Sequence, residues 1–433
     1  MATTQDGRNN VMYPFKTPAL TLEQPFGDFV VAALPVRLLL DVAYSERLRA
    51  VRQADGSYQL EGSQRELLKR RQKEIGEYID TGAAAFPNAI IIAANYREDD
   101  GLIEDDEEKR WIFERNSDSR SGTLRIPDGA KMAAIIDGQH RLFGFKYSEL
   151  RERLDMELVC TIYFDLPKPY QASLFATINA NQRPVSKSQT YESFGYNLEE
   201  ETRSQWVPEK LSVFITRKLN AENDSPLYNR IAVPAENDFS PTLASARRSG
   251  DWAISMATSV EGIVRLISRN PRRDANAMSG SVHYEGKTRA VLKGDFDPNL
   301  TPLRELYLLE NDELIFTGVK NYFEAVQELL WRSADEDSYI HRTVGVQALF
   351  EISVRIFKEA AAKRDVGQDM FVQLLQKASG ANFSDDFFQA SGKGRSRIRH
   401  YLELLLEWRD ISSIERDQDT YKRLLRETGN RRR

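Results

Sequence analysis

The 433-residue sequence has a single cysteine, Cys160, so no disulfide can close within the chain. Cysteine poverty of this kind fits a reducing compartment. No apolar run approaches the roughly 18 residues that cross a bilayer. The opening MATTQDGRNN lacks the basic-then-apolar pattern of a signal peptide. A cytoplasmic protein with no membrane attachment is expected. There is no surplus of positive charge: 60 Lys and Arg stand against 65 Asp and Glu, a net charge of −5. A dedicated duplex-DNA binder is usually more basic, so DNA contact is expected through a complex. The four histidines, His140, His283, His341 and His400, lie far apart and with one cysteine make no zinc spacing. No carboxylate cluster suggests a two-metal nuclease. Internal repeats and low-complexity linkers are also missing.

What is present is a chain too long for one ordinary core, with a globular composition of 41% apolar and 29% charged residues. Its first half mixes strand and helix patterns. FVVAALPVRLLLDVAY (29–44) is rich in β-branched residues and predicts one or two strands. GSQRELLKRRQKEIGEYID (62–80) carries apolar residues at helical spacing. FPNAIIIAANY (86–96), AAII (133–136) and MELVCTIYF (156–164) predict buried strands. EEKRWIFER with GTLRIP predicts a hairpin. RLFGFKYSEL (141–150) and PYQASLFATINANQ (169–182) predict helices. Cys160, inside an apolar run, is expected in the core rather than as a nucleophile. After about residue 200 the apolar positions recur every 3.6 residues. The expected fold is α+β: a mixed α/β N-terminal domain (1–200) and a mainly helical C-terminal domain (201–433) for partner or DNA contacts.

Three polar clusters interrupt the apolar pattern. The sharpest is DGQHR, Asp137 to Arg141, between a strand and a helix. Gly138 permits a sharp turn or close approach to a ligand. The following helix start offers free N–H groups for a phosphate. Arg141 adds a guanidinium fork suited to phosphate. Gln139 and His140 donate and accept hydrogen bonds, and His140 titrates near neutrality. Asp137 is a candidate magnesium ligand or water-orienting group, with His140 as proton carrier. The plainer reading is a capped helix, with Arg141 paired to a neighbouring acid. The second cluster, INANQRPVSKS (178–188), places Asn179, Asn181 and Gln182 at a helix end. The third, SQRELLKRR (63–71), puts Gln64 and Arg65 at a helix start.

Together, Gln64-Arg65, FPN (86–88), IDGQHR (136–141) and FATINANQRPVS (175–186) resemble the DGQHR-domain proteins of the DndB and DpdB type, encoded beside DNA-modification and phage-defence systems. The resemblance covers about residues 25 to 235. It implies a ParB/sulfiredoxin-like N-terminal fold, in whose relatives the corresponding turn cradles nucleotide phosphates. It further implies binding of ATP or another nucleoside triphosphate with Mg2+ at Gly138, Gln139 and Arg141, with Gln64, Arg65, Asn179 and Gln182 beside them. Asp137 and His140 would be catalytic if the nucleotide is hydrolysed, as in an ATPase. The partners implied are the modification enzymes of the same system. The alternative is a non-catalytic sensor of DNA or nucleotide that regulates such an operon. Two further stretches are set aside. GSVHYEGKT (280–288) has five residues between its glycines where a P-loop has four. SGKGRSRIRH (391–400) is a basic loop opening a helix, read as a solvated helix start.

Overall fold

The computed structural model describes residues 11–45, 49–52, 58–61, 69–117, 119–181, 186–194, 198, 201–232, 252–280, 286–292, 297 and 299–431. The chain divides into two compact units, Met1–Pro184 and Val185–Arg433.

The first unit begins with β1 (Phe15–Leu22) and β2 (Phe29–Pro35), followed by α1 (Val36–Val42) and β3 (Ala43–Tyr44). The predicted second strand of 29–44 is therefore mostly a helix. Pro35 stops the sheet, and Val36, Leu38, Leu39 and Val42 bury one face of the two-turn helix that follows. A separate ladder, β4 (Arg49–Arg52) with β5 (Tyr58–Glu61), precedes α2 (Lys69–Ile79). Then come β6 (Ile90–Ala94), β7 (Ile112–Arg115), β8 (Ser121–Ile126), β9 (Ala133–Asp137), α3 (Gln139–Gly144), β10 (Glu157–Phe164) and α4 (Lys168–Asn181). The hairpin predicted from EEKRWIFER and GTLRIP is β7–β8. Strand β1 was not legible as a strand, because proline interrupts its alternation.

Eight strands make one curled mixed sheet in the order β3-β9-β6-β10-β2-β1-β8-β7. Its centre pairs β6 with β10 in parallel and β6 with β9 antiparallel. Ile90, Ile92, Leu158, Cys160 and Ile162 fill the core on one face, with Leu142 and Phe145 from the segment after β9. On the other face Ala93 and Ile136 meet Leu174 and Phe175 of α4. Cys160 is fully buried, and burial pushes its thiol up to about 12, so it stays protonated and inert as a nucleophile.

The second unit is helical, as the periodicity predicts: α5 (Lys187–Phe194), α6 (Pro208–Ala221), α7 (Met256–Ile267), α8 (Pro271–Met278), α9 (Arg304–Leu308), α10 (Asp312–Val326), α11 (Thr343–Lys363), α12 (Gln368–Leu375), α13 (Gly392–Leu405) and α14 (Gln418–Arg431). One large apolar cluster joins them. It encloses two ion pairs: Arg289 with Asp312 at 2.6 Å and Arg304 with Asp274 at 2.5 Å. Both are hydrogen-bonded with two N–H groups, the geometry that lets buried charge persist. Among the described residues no helix is long and apolar enough to cross a membrane.

Candidate functional site

The DGQHR segment lies where the sequence placed it, at the junction of β9 and α3. Gly138 has φ +100°, left-handed backbone that side-chain-bearing residues avoid. A Cβ there would also stand 2.6 Å from Ile90 Cδ1 and 3.2 Å from Arg141 Nη2. Glycine is thus needed both for the turn and for close passage against the start of β6. The register of β6 against β9 shifts between Ile91 and Ile92, beside Asp137, a bulge that re-aims the strand end at this point.

Arg141 closes the turn. Its Nη2 donates to Asp137 Oδ2 at 2.8 Å and to the Ala89 carbonyl at 3.1 Å, and its Nη1 donates to the Asn88 carbonyl. The pairing of Arg141 with a neighbouring acid, the plainer reading of the sequence, is present. Its guanidinium ties the DGQHR turn to the two residues that precede β6. Asp137 is correspondingly the internal partner of Arg141. Gln139 is buried, and its Oε1 accepts from Ser45 Oγ at 2.6 Å.

His140 is placed differently. Its Nε2 is shielded from solvent and has no hydrogen-bond partner. Burial first, and the nearby Arg71 guanidinium second, hold its pKa below the ordinary imidazole range, while Asp137 pulls the other way. At neutral pH the ring is therefore uncharged. Arg71 extends from α2, is exposed, and has no ion-pair partner among the described residues. Helix α2 reaches α3 and the residues after it through glycine contacts. A Cβ on Gly144 would meet Ile75 Cγ2 at 2.4 Å, and one on Gly76 would meet the Tyr147 carbonyl at 2.7 Å. Arg71 and His140 thus present an available cation and an unpaired ring nitrogen on adjoining helices.

Of the other expected residues, Asn179 belongs to α4, which packs against β9. The positions of its side chain and of Gln64, Arg65 and Gln182 lie outside the described residues. Four participants carry no functional signal in the sequence. Arg71 closes the SQRELLKRR cluster, one of several basic residues on an amphipathic helix. Ser45 and the carbonyls of Asn88 and Ala89 carry no chemical signal of their own. A magnesium ion would find a single carboxylate at this turn. Asp137 is its one carboxylate and faces Arg141, and among the described residues no three His, Cys, Asp or Glu side chains gather around a point.

Comparison with protein families matches residues 17–226 to the family DndB, described as DNA-sulfur modification-associated. The matched span contains the whole DGQHR turn, and over it the chain is DndB-like. No curated protein and no solved structure gave a significant match.

Proposed function

We propose that this DndB-like chain serves a DNA-sulfur modification system, one that installs phosphorothioate in the DNA backbone, as its nucleotide-binding component, with a DGQHR turn built to hold a phosphate rather than to cleave it. The observation that carries this reading is the division of labour within the motif. Asp137 and Arg141 neutralise each other and fasten the turn, whereas the exposed Arg71 and the unpartnered Nε2 of His140 lie on two helices in contact. A phosphate oxygen can accept from Arg71, from a His140 N–H and from backbone N–H groups after Gly138. ATP with Mg2+ is the expected form, the metal arriving on the phosphates. The modification enzymes of the same system are the expected partners, in the cytoplasm.

Calorimetric titration with ATP–magnesium tests this. Arg71→Ala and His140→Ala should each weaken binding by roughly 1.5–3 kcal/mol, the scale of a hydrogen bond to a charged group. Phosphate release should stay at background with and without DNA. Binding unaffected by both substitutions would remove the site. A second reading, hydrolysis, has one observation in its favour: an uncharged His140 whose Nε2 has no hydrogen-bond partner can accept a proton from a water that reaches it. DNA-stimulated phosphate release that disappears in His140→Ala would establish that reading instead.

A further inference from the structure

The parallel strands β6 and β10 end side by side, at the opposite end of β6 from the DGQHR turn. Five residues at ~3.3 Å each separate the two places by roughly 16 Å. The residues that follow these strands, Asn95 and Asp165, both adopt left-handed backbone, with φ of 73° and 54°. Two such residues at neighbouring strand ends are a cost that folds tolerate chiefly where geometry matters. They are locked together. The buried Asn95 amide accepts from the Trp111 N–H at 2.8 Å and donates to Asp165 Oδ1 at 3.0 Å. Arg110 grips the other Asp165 oxygen and the Glu104 carbonyl.

This network floors a cleft of about 380 Å³, walled by Phe29, Phe113 and Phe164 and rimmed by Asp28. The carboxyl ends of parallel strands are the usual place for ligands in such sheets. Asp28 is exposed, with no hydrogen bond or ion pair among the described residues. On the face of the sheet that carries α4, a chain of rings runs to the surface: Phe29 to Tyr163 at 5.3 Å, Tyr163 to Phe26 at 6.1 Å, and Phe26 to Tyr170 at 6.0 Å. Phe26 is 41% exposed and Tyr170 55%, so both rings offer a face to solvent.

We propose that this cleft binds a nucleobase, stacked among its aromatic walls and read along one edge by the carboxylates and Arg110. The chemistry selects the base. Arg110 keeps N–H groups beyond its two internal bonds, and carboxylate oxygens keep lone pairs beyond theirs. A donor beside acceptors matches guanine, whose O6 accepts while N1–H and the 2-amino group donate. Thymine, with two acceptors about one donor, matches worst. The base comes from a free nucleotide or from single-stranded DNA. The exposed Phe26 and Tyr170 are suited to stack the neighbouring bases of a strand.

The test is calorimetric titration of the full chain with dGMP and with a short single-stranded oligonucleotide containing one guanine. The oligonucleotide should bind, and both Asp28→Ala and replacement of guanine by thymine should weaken binding at least about tenfold. Thermal melting of Asp28→Ala should match the parent, since Asp28 holds nothing internal. Phe26→Ala should weaken the oligonucleotide alone; equal binding of dGMP and oligonucleotide would name the free nucleotide as source. Absence of binding by both probes, or binding indifferent to Asp28→Ala, overturns the proposal. So does binding lost in His140→Ala but kept in Asp28→Ala, which would assign it to the DGQHR turn.

Discussion

Arg141 is committed to its own backbone, and that changes what its removal should do. Arg141→Ala leaves two carbonyls and the Asp137 carboxylate without their donor. It should lower unfolding free energy by about 1–3 kcal/mol in denaturant titration, with less effect on nucleotide affinity than His140→Ala. Gly138→Ala should cost a similar amount through its φ of +100° and the Ile90 contact. At residue scale the motif was legible and its wiring was not. The pattern of five residues marked the turn, but which arginine faces inward depends on carbonyls 52 and 53 residues away. A second residue gives a pH prediction. Burial pushes the carboxyl of Glu209 on α6 up to about 7 from 4.5, and its Oε2 lacks a hydrogen-bond partner. The folded state therefore holds a proton that the unfolded chain has released between these values. The stability this gives is complete below about pH 4.5 and is lost as pH rises through about 7, by roughly 3 kcal/mol at ~1.4 kcal/mol per pH unit. Glu209→Gln should unfold at higher denaturant than the parent at pH 8 and show no such advantage at pH 4.

Helix α1 shows where element-level reading stops. Its seven residues lie too close to β2 for periodicity to separate a helix from a strand. What completes it comes from far along the chain: Lys131 Nζ donates to the carbonyls of Leu40, Asp41 and Ala43 at 3.0–3.1 Å. A cation over the last carbonyls satisfies groups that helix ends leave open. Lys131→Met, which keeps the stem and removes the donors, should destabilise the chain by about 1–3 kcal/mol in denaturant titration. The long helices of the second unit needed no such partner to be recognised, because each carries several turns of apolar spacing. At the start of α13, where the sequence predicts a solvated helix start, Gly392 and Lys393 are exposed and Ser391 Oγ adds a cap, accepting from the Gly394 N–H at 3.2 Å. Ser391→Ala should cost about 1 kcal/mol.

Across the whole molecule, the order of strands and helices gave the α+β class, because sheet and helix periodicities occupy different halves of the chain. The curled sheet order, and hence the cleft beyond β6 and β10, was not legible: parallel pairing joins strands more than 60 residues apart. The net charge of −5 bears on function at this scale. Mobility-shift titration at physiological salt should find the isolated chain no tighter than roughly 10 µM on random duplex DNA, within the range of nonspecific electrostatic binding. Much tighter binding would place DNA recognition in this chain rather than in its complex. The lone cysteine has a use of another kind. Cys160 sits on the central strand β10, between β6 and β2, fully out of reach of solvent. A thiol-reactive dye can reach it only when that strand opens, so labelling of the unaltered protein works as a clock for sheet opening. Ligands that hold the sheet closed should slow the clock. The same silence lets a single cysteine introduced on the surface carry a fluorophore with almost no competing background.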